Sequence, residues 1–323
     1  VTGIHLVRGE YGTLGWVSVF RLPIWFDSEE CPKAFVQSFC ICYISSCRTC
    51  NIIVKLASRV FAHIPSNLTL RLPNRLLKVF FDQTLKHGLS IPPVLIYSTG
   101  KVGSTSILKS LRKHYQGVVV AGERWFTPRH KVHRYLYDWS IVRRMPLKVI
   151  SMVREPVSLN ISRFFQDLEH DRIAGISYSD SLNLSTEQLA AIFLSRFKHH
   201  ERPLKWFDTQ MKPTFRIDVF SKPFPQSGTC IYRNNNIELL VMRSELPDPE
   251  KAKAIASFLD LDCLEIQRKN VGEEKCYAKA YVDFKCKVRL PADYIQKMTS
   301  SKYFNHFYRE ESIDSVIDRW SDS

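Results

Sequence analysis

Residues 1–88 carry no sustained hydrophobic period apart from a basic amphipathic run at 52–64, and Pro65 and Pro73 punctuate the approach to Phe80-Phe81. The pattern sharpens after Pro92-Pro93. There the apolar run Val94-Leu95-Ile96-Tyr97 ends in a small-residue loop and predicts a buried strand. Ile107, Leu108, Leu111 and Tyr115 then share one face of a helix over 104–115, with Ser104, Thr105 and Ser106 supplying hydroxyls for its cap. Apolar runs at 118–120 and 149–153 predict two more strands. Pro156 suits the first turn of the next helix, whose core face is Val157, Ile161, Phe164, Phe165 and Leu168.

Further along, Ser185-Thr186-Glu187-Gln188 is a capping box opening a helix that buries Leu189, Ile192, Phe193 and Phe197. Residues 229–233 and 237–243 flank Asn234-Asn235-Asn236 and predict a hairpin, Pro249 opens a helix to Leu259, and 301–320 is mostly helical. Short apolar strands alternating with amphipathic helices predict an α/β fold, a parallel β-sheet flanked by helices on both faces. The chain divides into an irregular N-terminal extension, 1–88, of unread role and an α/β domain, 89–323.

A composition of 45% hydrophobic and 24% charged residues excludes disordered and fibrous classes. The formal charge of +14 favours a polyanionic partner, such as an acidic glycan or a phosphate-bearing small molecule, and no nucleic-acid partner is expected. Cys47 and Cys50 form a CxxC without a second metal-ligand pair at zinc-finger spacing, so no metal is expected. The odd total of nine cysteines argues for a reducing compartment, hence a cytoplasmic location, with membrane-associated or Golgi residence as the alternative. The apolar stretch at 35–44 is about half the length of a membrane span, which leaves surface association with a membrane open.

The candidate chemistry begins at Ser98-Thr99-Gly100-Lys101-Val102-Gly103-Ser104-Thr105-Ser106, between a strand and a helix. Two glycines permit a tight turn, successive N–H groups and a helix N-terminus favour an anion, and Lys101 adds a charge beside hydroxyl donors. A Walker A loop needs its lysine directly before the helix, whereas Lys101 precedes Gly103; a nucleoside-triphosphate kinase is disfavoured. A second group stands at the end of the third strand, where Arg154 is followed eight residues later by Ser162. Both would reach one anion beside the carboxyl edge of the sheet.

These segments resemble the sulfotransferase superfamily, which has a P-loop-like sheet and uses 3'-phosphoadenosine-5'-phosphosulfate (PAPS). The stretch 98–106 is similar to its 5'-phosphosulfate loop, and Arg154 with Ser162 to its 3'-phosphate pair. Residues 239–246 with 248–259 resemble a later strand and helix, and Arg268, Lys269 and Lys275 a basic loop closing on the 3'-phosphate. Within the superfamily, Trp206-Phe207-Asp208, Ile217-Asp218-Val219-Phe220, Phe224-Pro225, Tyr277-Ala278 and His306-Phe307-Tyr308 look closest to the capsular polysaccharide synthesis proteins. The resemblance implies a carbohydrate or polysaccharide acceptor. It implies that Lys101 neutralises the leaving phosphate while residues 99–106 (Thr99, Gly100, Lys101, Val102, Gly103, Ser104, Thr105, Ser106) hold the phosphosulfate. It also calls for a base, and Glu123, followed by His130 and His133, stands at the end of the second strand. Two other readings stay open: a nucleotide-binding phosphoryl-transfer enzyme, and an inactive descendant that binds anionic glycan.

Overall fold

In a computed structural model of the chain, the described residues are 3–8, 14–21, 38–42, 91–122, 136–267 and 277–321. The chain divides into two units, Val1–Arg59 and Val60–Ser323. The first contains strands β1 (Gly3–Arg8), β2 (Leu14–Arg21) and β3 (Ser38–Cys42), paired antiparallel in that order. The hydrophobic pattern of residues 1–88 does not announce these strands.

The second unit is built on β4 (Val94–Tyr97), β5 (Val119–Gly122), β6 (Leu147–Val153), β7 (Thr229–Asn234) and β8 (Ile237–Arg243), in the spatial order β5-β4-β6-β8-β7. Four strands are parallel. The edge strand β7 runs antiparallel to β8, because the two residues between them allow only a hairpin. Asn235 turns that hairpin with φ +52°, a left-handed conformation asparagine tolerates.

Around the sheet lie α1 (Ser104–His114), α2 (Pro156–Glu169), α3 (Thr186–Arg196) and α4 (Arg202–Trp206), the last continuing through a π turn, Phe207–Met211, into Lys212–Phe215. Next come α5 (Asp248–Leu259), α6 (Ala278–Lys287), α7 (Ala292–Thr299), α8 (Lys302–Phe307) and α9 (Glu310–Trp320). Among the described residues no helix is long and apolar enough to cross a membrane.

Strand periodicity sorts the core into two clusters. Val94, Ile96, Ile150, Met152, Leu240 and Met242 face α1 and α5, packing on Ile107, Leu111, Ile255 and Phe258. Leu95, Tyr97, Val149, Val153, Leu239 and Val241 face the opposite way into the larger cluster with α2, α3 and the C-terminal helices. There Phe164 and Phe165 sit 5.4 Å apart edge to face, with Phe193 5.4 Å from Phe164 and Phe284 5.4 Å from Phe165.

The strand order contains a topological switch. From β4 the chain crosses through α1 to β5 on one side, while from β6 it crosses through α2 to β8 on the other. The switch lies between the carboxyl ends of β4 and β6, where open α/β sheets bind their ligands.

Candidate functional site

The loop leaving β4 is anchored at both ends. Ser98 and Thr99 are 2% and 4% exposed, Ser98 N donates to Gly122 O at 3.3 Å, and Val102 drops into the core beside Ile107. Gly100, Lys101 and Gly103 all adopt left-handed backbone, with φ +81°, +60° and +86°. For a lysine that conformation costs about 1–2 kcal/mol, and strain of this kind accumulates where the surrounding structure holds a loop for function.

Gly103, not a serine, occupies the N-cap of α1, and no side chain caps this helix. The expectation that Ser104, Thr105 and Ser106 supply the cap is therefore corrected. The left-handed turn enters the helix one residue earlier, so Ser104 and Thr105 become its first helical positions, whose N–H groups have no intrahelical partner. A Cβ built on Gly103 meets nothing within 4 Å. Gly103→Ala is thus expected to lower stability only by the about 1–2 kcal/mol of left-handed strain, read from the denaturation midpoint.

Beside the loop, Arg154 follows β6 and its Nη1 donates to Lys101 O at 2.8 Å, joining the two strand ends. Arg163, one residue after Ser162 on α2, is 7% exposed and its Nη2 donates to Thr99 O at 2.6 Å. Ser162 is buried at 9% exposure. The structure thus brings the 98–106 loop together with Arg154, and adds Arg163, which the sequence reading missed. A signal existed: Asn160, Arg163 and Asp167 form a polar i, i+3, i+7 stripe on the helix whose apolar residues make the core face, and all three are buried. Arg163→Met is expected to cost about 1–3 kcal/mol in a denaturant melt, because it strips the guanidinium partner from the buried Thr99 carbonyl.

The turn holding Arg154 is fully engaged. Val153 O accepts from Ser244 N at 2.8 Å, and the Tyr303 hydroxyl accepts from Arg154 N at 3.1 Å and donates to Arg154 O at 3.0 Å. Glu155 N donates to Glu245 Oε1 at 2.8 Å, and the Glu155 carboxylate caps α2 by accepting from Val157 N and, at 2.8 Å, from Ser158 N. Burial pushes the Glu155 carboxyl up, bonds from Ser158 and Val157 pull it back, and neighbouring Glu245 pushes it up again. The N-terminus of α2 is therefore filled by the chain's own carboxylate, in contrast with that of α1. Tyr303 and Tyr308 are buried phenols, both pushed up chiefly by desolvation and so held neutral.

Glu123, His130 and His133, and the basic residues Arg268, Lys269 and Lys275, lie outside the described residues.

Fold and site together define an α/β protein whose sheet switch point carries Lys101, Arg154 and Arg163. Residues 179–309 match the sequence pattern of the family NKWYS, described as "Putative capsular polysaccharide synthesis protein". No curated protein and no solved structure matches the chain. The matched stretch begins after the 98–106 loop, Arg154 and Ser162, and includes β7, β8 and the helices from α3 to α8. It nevertheless packs against the strand ends that carry the loop and Arg154. Trp206 packs 5.0 Å from Tyr97, the last residue of β4, Phe207 packs 5.3 Å from Phe307, and Tyr303 grips Arg154.

Proposed function

We propose that the protein transfers a sulfuryl group from PAPS to a hydroxyl, or an amine, of a carbohydrate acceptor. The observation that carries this reading is the bond from Arg154 to the carbonyl of Lys101, which ties a left-handed, uncapped helix entry to a second cationic strand end. PAPS has two anionic ends, a 5'-phosphosulfate and a 3'-phosphate, and cationic side chains carried on two adjoining strand ends suit such a molecule. The match of residues 179–309 to a capsular polysaccharide synthesis family supports a glycan acceptor.

In this reading the acceptor oxygen attacks sulfur in line, the bond from sulfur to the 5'-phosphate oxygen breaks, and the acceptor proton passes to a base. The donor supplies the activated sulfuryl group. Lys101 and the first N–H groups of α1 stabilise charge on the departing phosphate, with Thr99, Gly100, Val102, Gly103, Ser104, Thr105 and Ser106 shaping the cradle. Arg154 uses one of its five N–H donors on Lys101 O, and the others, with Ser162, take the 3'-phosphate. Arg268, Lys269 and Lys275 close over that end. Glu123, with His130 beside it in the chain, is proposed as the base.

The test is incubation of the purified chain with ³⁵S-labelled PAPS and a panel of capsular and other acidic polysaccharides. Label should enter the glycan with release of adenosine 3',5'-bisphosphate. Absence of both transfer and adenosine 3',5'-bisphosphate binding would sink the proposal.

A further inference from the structure

The backbone around Arg154 is held by side chains that come from far away in the sequence. Tyr303 lies 149 positions from Arg154 and forms hydrogen bonds with both its N–H and its C=O, while Glu245 lies 90 positions from Glu155 and accepts its N–H. Tyr308 donates to both Glu245 oxygens at 3.3 Å, which holds that carboxylate against the turn. With Ser244 N on Val153 O and Leu159 N on Glu155 O at 2.9 Å, the polar backbone groups entering α2 all have partners. A strand-end arginine normally swings with its loop. Here the Cα–Cβ direction of Arg154 is set by a phenol and a carboxylate carried on other elements.

The phenol is well suited to this task. Tyr303 is 1% exposed, its ring packs 5.1 Å from Phe307 and 6.4 Å from Phe207, and its hydroxyl must both accept and donate, which requires it to stay neutral. Burial keeps it so.

We infer that Tyr303, seconded by Glu245 and Tyr308, is a positioning residue for Arg154, and that it sets the preference of the crevice for a nucleotide bearing a 3'-phosphate over one lacking it. This rests on the reading of Arg154 as the 3'-phosphate ligand. Phosphate recognition by a guanidinium is bidentate and angle-dependent, so a small rotation of the turn weakens it selectively. The cradle after β4 makes no hydrogen bond to Tyr303 itself and is tied to this turn only through the Arg154 bond to Lys101 O, so affinity for the 5' end should fall far less than affinity for the 3' end.

The experiment is titration calorimetry of the full chain with adenosine 3',5'-bisphosphate and, separately, adenosine 5'-monophosphate. The wild type should prefer the bisphosphate. Tyr303→Phe keeps the ring packing and removes only the hydroxyl, and it should reduce that preference about tenfold while changing the monophosphate affinity much less. Glu245→Ala should move the preference in the same direction and carries the test should Tyr303→Phe melt below the assay temperature. A folded Tyr303→Phe with an undiminished preference overturns the inference, as does equal weakening of both ligands, which would mean general loosening. A wild type that shows no preference overturns the 3'-phosphate reading itself, and the inference with it.

Discussion

Lys101→Ala is expected to lower kcat for sulfuryl transfer by about 10²–10³-fold, with a much smaller change in donor KM and a melting midpoint near that of the wild type. The asymmetry between kcat and KM follows from where charge develops. In the bound donor the bridging oxygen carries little charge, and in the transition state it becomes a phosphate oxyanion. A lysine aimed at that oxygen binds the second state better than the first. Stability should change little because the side chain is only partly buried and its backbone stays left-handed with alanine as with lysine. Lys101→Arg retains the charge on a larger planar head and should recover only part of the rate. Measured transfer by Lys101→Ala at the wild-type rate would remove Lys101 from the mechanism.

The sheet and its first two helices were legible because short, continuous apolar runs bounded by loop residues mark the strands and apolar residues at helical spacing mark the helices. Val94 to Tyr97 alternate between the two core clusters, and Val157, Ile161, Phe164, Phe165 and Leu168 repeat at helical spacing and are all buried. The capping box at Ser185 and Gln188 forms as its residue types require. Less legible were α6 and α7. The buried residues of α6 reduce to Tyr281 and Phe284, too few to stand out, and the helix after Arg202 is interrupted by a π turn and by Pro213. In the site, Lys101 and Arg154 could be read as a pair because each sits at a strand end within a short motif. Tyr303 and Glu245 could not, since their partners are 149 and 90 residues away and no local pattern encodes such a bond. Arg163 lay between, visible as a charged residue next to Phe164 and Phe165 of the core face, yet easily passed over as an incidental neighbour of Ser162.

Arg154→Ala should weaken binding of adenosine 3',5'-bisphosphate by about 10²-fold, as expected when a charge-assisted, bidentate phosphate contact worth about 1.5–3 kcal/mol is removed. Binding of adenosine 5'-monophosphate should change little, and the slope of bisphosphate affinity against salt should flatten by about one ion. The turn itself should survive, because Tyr303 and Glu245 hold its backbone and not its guanidinium. What is lost structurally is the bond to Lys101 O, so the left-handed loop gains freedom and kcat at saturating donor should drop a few-fold through misplacement of Lys101. Arg154→Lys separates the two effects. It restores a positive charge without the planar fork, so it should recover part of the salt-dependent affinity and little of the tie to the loop. The variants are therefore ordered, with Arg154→Ala losing more 3'-phosphate preference than Tyr303→Phe. If instead Tyr303→Phe lost as much as Arg154→Ala, the guanidinium would contribute only when the phenol holds its turn in place.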